Sequence, residues 1–258
     1  MTEQHVTYTA DGPVAHLRLA RPGMSNAFDL NAARDLGKAV GDAASEAIRA
    51  VLVTGDGTRF CAGGDVASMA AAGDRASYVR ELATALGDAL LRLSRLEKPV
   101  VTAVQGAVAG AGLAVILSSD IVLAERSAKF LMAYAGVGLT PDCGVSYLLP
   151  RAVGQQRALE LALTGRVLTA AEALEWGLVT EVVDDGTSGA RALDTARRLA
   201  EGPGFALAQA KRLIRSAWHT PQEQHTRDEA GTIARAVSGD DATALINAFL
   251  TGSRTRRS

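Results

Sequence analysis

The chain has 258 residues, of which 48% are hydrophobic and 21% charged, so it can bury a large core without a disulfide or structural metal. Its formal net charge of −1 argues against a nucleic-acid surface, because phosphate binding needs clustered positive charge. A polar start and the lack of a long uninterrupted apolar run predict a cytoplasmic protein with no membrane partner.

The first quarter of the chain alternates strand and helix patterns. Residues 16–19 read as a strand that ends at the turn Arg21-Pro22-Gly23. Residues 29–50 have helical spacing, and the short apolar run 51–53 indicates a second strand. A strand, a helix and a strand in this order predict parallel pairing with a crossover helix.

The same alternation continues in the next segment. Residues 78–96 are predicted to be a helix with one apolar stripe, formed by Leu82, Leu86, Leu90 and Leu93. The β-branched run 100–104 predicts a buried strand, a helix is expected from about Leu113, and residues 120–124 indicate another strand.

From Asp142 onward the pattern becomes mostly helical. Thr169 and Glu172 have the spacing of a capping box, in which each side chain accepts from the other residue's backbone amide. Residues 191–250 predict three amphipathic helices, with proline residues at the breaks.

The predicted organisation is an α/β core over residues 1–195, which carries the site, and a helical segment over residues 196–258. We expect the basic tail of Arg254, Arg256 and Arg257 to be a solvated end.

Two glycine-rich bends follow apolar strands: the first bend, residues 60–65, and the second bend, residues 106–112. Glycine lets backbone N–H groups approach a ligand closely, and the second bend opens a helix whose first amides favour negative charge. Neither bend matches a dinucleotide fingerprint or a P-loop, and tight backbone packing is the structural alternative. Two such bends together favour one shared anion site, as a thioester enolate requires.

The order and spacing of these motifs, from Asn26 to Phe249, resemble the crotonase (enoyl-CoA hydratase/isomerase) superfamily. The matching segments are Phe60–Asp65, Lys98–Val100, Gly106–Gly112, Val137–Asp142, Leu163–Gly165 and Trp176–Val179. The resemblance implies a spiral of repeated ββα units and a C-terminal helical trimerisation region. It also implies a homotrimer or dimer of trimers.

The resemblance further implies an acyl-CoA substrate and no separate cofactor, because coenzyme A is part of the substrate. Backbone amides of Gly64 and Ala111 would hold the thioester oxygen, and the carbonyl of Ala62 would contact the adenine. Asp65, which closes the first bend, is included in the substrate site. Ser25 stands where relatives usually carry a basic residue, which leaves the contacts to the CoA phosphates open.

The two glutamates that add water in family hydratases are missing, since their positions hold Ala114 and Tyr134. Tyr134 lines the acyl pocket, donates a hydrogen bond or only packs. Asp142 is then the candidate proton carrier, as in the 1,2-epoxyphenylacetyl-CoA and enoyl-CoA isomerases that its surroundings resemble. We expect neighbouring leucines to bury it and raise its pKa, and the alternative is a helix N-cap.

Three other functions remain open. In the first, the chain is a relative named as a hydratase and retains some water addition. In the second, it is a 4-chlorobenzoyl-CoA-type dehalogenase that uses Asp142 as a nucleophile. The dehalogenase chemistry uses a histidine on the helix matching residues 78–96, which contains none. A non-catalytic acyl-CoA-binding member is the alternative from another class.

Overall fold

The structure is a computed structural model and describes residues 4–255, with side chains up to residue 252. The chain divides between Ala200 and Glu201 into two compact units. Its strands are β1 (Val6–Asp11), β2 (Val14–Leu19), β3 (Ala50–Gly55), β4 (Val100–Val104), β5 (Ala107–Ala109), β6 (Ile121–Glu125), β7 (Lys129–Leu131), β8 (Val167–Thr169) and β9 (Glu181–Val183). The side chains of Arg254, Arg256 and Arg257 lie outside the described residues.

Helices surround the strands in the first unit and make up the second. They are α1 (Leu30–Ala43), α2 (Val66–Ala71), α3 (Arg75–Arg95), α4 (Ala111–Leu117), α5 (Val145–Val153), α6 (Gln155–Thr164), α7 (Ala170–Glu175), α8 (Ser188–Ala200), α9 (Gly204–Ser216), α10 (Gln222–Val237) and α11 (Asp240–Thr255).

The larger sheet has six strands in the order β1-β2-β3-β4-β6-β9. β1 and β2 pair antiparallel as a hairpin, whereas all the following neighbours pair parallel. Parallel neighbours need crossover connections, and α1 and α3 lie in the first two of them. The α/β alternation predicted from the sequence is therefore confirmed.

The central strand β4 is buried on both faces, which explains its continuous apolar sequence. Val101 and Ala103 point to one face, where they pack with alanines of α8. Val100 and Val104 point to the other face and join the main core, which includes the predicted leucine stripe of α3. The sheet thus lies between helical layers.

A second sheet of three short strands, in the order β5-β7-β8, runs beside the first. β4 leads into β5 and then α4, and β6 likewise leads into β7, so each long strand is followed by a short one in the other sheet. This repetition of strand, short strand and helix agrees with the expected ββα units. The short strands were not predicted, because three residues are too few to show periodicity.

The structure differs from the predicted helix count in residues 191–250. It has four helices there, because Arg191 lies inside α8, whose small residues pack on the larger sheet. Pro203 and Pro221 precede α9 and α10 as predicted, and the capping box of α7 is confirmed. The assignment of separate roles to residues 1–195 and 196–258 stays a prediction.

The second unit contains α9, α10 and α11. Within it, the guanidinium of Arg212 on α9 donates to both carboxylate oxygens of Asp228 on α10, at 2.6 and 3.0 Å. None of the helices in residues 4–255 combines the length and apolarity needed to cross a bilayer.

A buried ion cluster ties the first bend to the segment that follows β2. The guanidinium of Arg21 lies 3.1 Å from Asp65 and 3.2 Å from Asp29, and it also donates to the carbonyl of Ala27 (2.6 Å). Asp65, only 4% exposed, accepts from the Ser68 amide and caps α2. Burial alone would raise the pKa of Asp65, but the hydrogen bonds from Ser68 and Arg21 outweigh it and lower the pKa.

We expect Asp65→Asn to lower the free energy of unfolding by about 1–3 kcal/mol at pH 7, because the cap survives while the buried ion pair loses one partner. Ionised Asp65 contributes its full stability above the pKa of an unfolded aspartate, about 4. That contribution is lost as the pH falls through the lower folded-state pKa, so wild type and variant should converge in acid. Urea unfolding from pH 7 to pH 3 measures this.

Asp74→Asn is the matched control, because exposed Asp74 caps α3 through the Ser77 amide and has no recorded ion pair among the described residues. We expect it to change stability by less than about 0.5 kcal/mol. A loss for Asp65→Asn no larger than that of this control would contradict a role for the ion cluster.

Candidate active site

The first bend is held on both sides by backbone hydrogen bonds. The amide of Cys61 donates to Ala107 on β5 (3.2 Å), and the Cys61 carbonyl accepts from the last residue of β5 (2.9 Å). On the other side, the amide of Phe28 donates to the carbonyl of Gly63 (2.8 Å). The first bend is therefore aligned with β5, which lies within the second bend.

The two bends touch at positions where only glycine fits well. Gly63 has a φ of +106°, and a methyl group placed on it would lie 3.1 Å from the carbonyl oxygen of Ala109 and 3.5 Å from the nitrogen of Ala111. Gly110 has a φ of +50°, which side chains rarely adopt, although a methyl group on it would lie at an ordinary contact distance of 3.5 Å from the Cα of Gly63. Glycine is therefore favoured at Gly63 by both space and backbone conformation, and at Gly110 by backbone conformation.

The predicted oxyanion donors lie on these touching bends. Gly64 follows Gly63, and Ala111 is the first residue of α4, where helix amides have no partner within the helix. Within residues 4–255, the amides of Gly64 and Ala111 have no recorded hydrogen-bond acceptor. Two unengaged N–H groups on adjacent bends are what an oxyanion hole requires chemically.

Tyr134 and Asp142 form a hydrogen-bonded pair near the second bend. The phenol oxygen of Tyr134 donates to Oδ1 of Asp142 at 2.7 Å, and both residues are half-buried. The Tyr134 ring lies 3.9 Å from the position of a Cβ on Gly110. Burial, and then the neighbouring Asp142 carboxylate, raise the pKa of Tyr134 above its ordinary value, so the phenol keeps its proton.

Asp142 does not cap the following helix. α5 begins at Val145 with Gly144 as its N-cap, and no side chain bonds to that end. The leucines expected to bury Asp142 do so only in part, because Leu149 is in the core while Leu139 is 40% exposed. The carboxylate is therefore available for other chemistry.

The remaining predicted residues divide into two groups. Ala62 is exposed in the first bend, and Ala114 is fully buried in α4 and carries no ionisable group. The buried carboxylate of Asp65 is engaged by Arg21 and Ser68. These contacts hold the bend that contains Gly64, and a contact between Asp65 and the substrate stays a prediction.

Sequence reasoning missed Arg59, which directly precedes the first bend. Its guanidinium donates to the hydroxyl of Ser25 at 3.0 Å, and the Ser25 carbonyl accepts from the amide of Ala62 at 2.9 Å. An exposed cation therefore lies where the sequence lacked the usual basic residue. A basic residue adjacent to the bend was the available signal, but its proximity to Ser25 depends on the fold.

Both cysteines lie near the bends but are unsuited to nucleophilic chemistry. Burial raises the pKa of the Cys61 thiol to about 12, and burial followed by the charge of Asp142 raises the pKa of Cys143. The Cys143 thiol contacts the carbonyl of Ala83 on α3 at 3.7 Å. Neither thiol forms the reactive thiolate near neutral pH.

Comparison with known proteins gives a consistent result. Residues 9–252 match the enoyl-CoA hydratase/isomerase family. The chain is 42% identical over 210 residues to 1,2-epoxyphenylacetyl-CoA isomerase of Escherichia coli, covering 79% of each chain. It is 31% identical over 239 residues to 4-chlorobenzoyl coenzyme A dehalogenase-2 of Arthrobacter, covering 92% of this chain and 87% of the relative.

The structural comparison agrees. The crystal structure of enoyl-CoA hydratase from Mycobacterium smegmatis superposes with a TM-score of 0.90 at 30% identity, covering 97% of both chains. The likeness spans the α/β core and the C-terminal helices, so it supports the expected fold along nearly the whole chain.

We expect Gly63→Ala to lower the free energy of unfolding by about 1–3 kcal/mol, because a side chain is strained at this φ and presses on Ala109. Relief of that contact would shift the Ala109 carbonyl and with it the second bend, so acyl-CoA affinity should also fall. Denaturant unfolding and calorimetric titration measure the two effects. Gly23→Ala is the control, since it meets nothing within 4 Å; equal behaviour of the two variants would contradict this account.

Proposed function

The chain belongs to the enoyl-CoA hydratase/isomerase family, and on this premise we propose that it isomerises an acyl-CoA through a thioester enolate, with Asp142 as the general acid/base. The observation that carries the proposal is the hydrogen-bonded pair of Tyr134 and Asp142 beside the bend that contains Ala111. Gly64 and Ala111 supply the two backbone N–H donors for the thioester oxygen.

The proposed reaction balances with one carboxylate. Asp142 takes a proton from the carbon next to the thioester carbonyl, and negative charge spreads to the carbonyl oxygen, where the two amides stabilise it. The protonated Asp142 then returns the proton to the carbon two positions further along. The double bond moves one position, and neither water nor a redox partner is consumed.

The side chains around the site favour isomerisation over hydration. A hydratase must activate water and protonate carbon, yet Ala114 has no ionisable group and the Tyr134 phenol keeps its proton. The relative named as an epoxyphenylacetyl-CoA isomerase suggests a ring-type acyl group as one substrate class. Linear 3-enoyl-CoA is the other class that fits a dienolate.

A dehalogenase would use the same carboxylate differently. In that reaction Asp142 would attack an aromatic carbon. The likeness to a 4-chlorobenzoyl-CoA dehalogenase makes it the second candidate function. The absence of histidine from α3 adds to the preference for isomerisation.

We expect Asp142→Asn to lower kcat for double-bond migration by about 10²–10⁴-fold, because the amide cannot accept the proton. Acyl-CoA affinity should change little. A panel of linear 3-enoyl-CoA and ring-type acyl-CoA substrates in D₂O, read by mass spectrometry, measures migration and deuterium incorporation together. Asp88→Asn on the exposed side of α3 is the matched control.

Other outcomes of this panel are equally informative. Full activity of Asp142→Asn would overturn the proposal. Chloride release from 4-chlorobenzoyl-CoA with no migration would establish the dehalogenase. Acyl-CoA binding without any proton exchange in wild type would support a non-catalytic family member.

We also propose that Arg59 contacts a CoA phosphate, because its guanidinium is exposed beside Ser25 and Ala62, and phosphates prefer arginine donors. Arg59→Ala should raise KM about 3–10-fold with little change in kcat, and the effect should shrink at high salt. Lys38→Ala, an exposed cation on α1, is the control. An unchanged KM at low ionic strength would exclude Arg59 from binding.

A further inference from the structure

The phenol of Tyr134 connects the two halves of the site. Its oxygen donates to Asp142 at 2.7 Å, and its ring lies against the second bend at Gly110. Its backbone carbonyl accepts from the amides of Val137 (3.1 Å) and Leu139 (3.0 Å), which fixes the segment that carries the ring. Tyr134 is thus anchored by its main chain and contacts both the bend and the carboxylate.

Asp142 itself lies on an irregular segment. The next two residues have left-handed backbones, with φ of +49° at Cys143 and +83° at Gly144, and only then does α5 begin. Such a segment does not orient a carboxylate as firmly as a regular helix would. A hydrogen bond from another segment therefore gives the side chain the orientation that its own backbone does not fix.

We propose that Tyr134 is a positioning residue that holds Oδ1 of Asp142, so that Oδ2 carries the proton at a fixed place relative to the Ala111 amide. This proposal rests on the proposed function and deepens it. Tyr134 keeps its own proton throughout: the substrate proton passes to Oδ2 of Asp142 and back to carbon. A misplacement of about 1 Å can cost about 10²-fold in rate, which makes such a restraint valuable.

The electrostatics of the pair agree with this role. Burial and the Asp142 charge raise the pKa of Tyr134, so it remains a donor over the whole working pH range. Burial and the Asp142 charge likewise raise the pKa of Cys143, so its thiol also stays neutral. The phenol therefore meets the carboxylate as a neutral donor.

The test is Tyr134→Phe, which removes one oxygen and keeps the ring. We expect kcat to fall about 10–100-fold with KM nearly unchanged, the effect of losing a hydrogen bond to a charged group. Tyr8→Phe, on the edge strand β1, is the matched control and should leave both parameters unchanged.

A readout that does not depend on turnover separates this proposal from the proposed function. In protein labelled with ¹³C at tyrosine Cζ, the Tyr134 signal is identified by its loss in Tyr134→Phe. Its chemical shift should change in Asp142→Asn, because the phenol then loses its charged hydrogen-bond acceptor. Asp88→Asn on α3 is the control and should leave that signal unchanged.

The outcomes are distinct. If no acyl-CoA is isomerised but the Tyr134 signal changes in Asp142→Asn, the proposed function fails and the interaction stands without a catalytic role. If Asp142→Asn abolishes isomerisation while Tyr134→Phe keeps the wild-type kcat, the positioning role is overturned. A Tyr134 signal that is the same in wild type and in Asp142→Asn would also contradict it.

Discussion

The site depends on the backbone pairing of the first bend with β5. Two hydrogen bonds at Cys61 align the first bend with this strand, which lies within the second bend. The two chain reversals therefore meet, with the backbones of Gly63 and Gly110 in close contact. Without that pairing the amides of Gly64 and Ala111 would have no reason to lie near each other, and no shared anion site could form.

The rest of the fold supports this arrangement from behind. The buried cluster of Arg21, Asp29 and Asp65 fixes the outer side of the first bend, and the main core packs beneath both bends. Asp65 therefore serves the site indirectly, through the shape of the backbone. An indirect role is sufficient, because backbone donors need rigid surroundings more than they need particular side chains.

The type of reaction depends on fewer groups of the site than the substrate class does. Backbone amides can stabilise an enolate whatever its fate, which agrees with the range of activities among the relatives. Within this chain, the ionisable side chains beside the second bend are Tyr134 and Asp142, and they narrow that range of activities. A neutral phenol next to a single carboxylate suits a proton shuttle better than the two-acid chemistry of hydration.

The sequence alone was sufficient for the α/β alternation, the long helix α3, the capping box of α7 and the family, because each leaves a periodic or ordered local signal. It also identified Gly64, Ala111 and Asp142 as candidates through the family's motifs. It overestimated the burial of Asp142, and it missed both the ion pair of Asp65 with Arg21 and Arg59 as a neighbour of Ser25.

Only the tertiary structure decided these points, because each depends on a contact between segments distant in the chain. Arg21 and Asp65 are 44 residues apart, and Arg59 and Ser25 are 34 residues apart. No local periodicity reports such distances. The hydrogen bond from Tyr134 to Asp142 spans only eight residues, yet it too required the fold, since its geometry follows from an irregular segment that no repeating pattern describes.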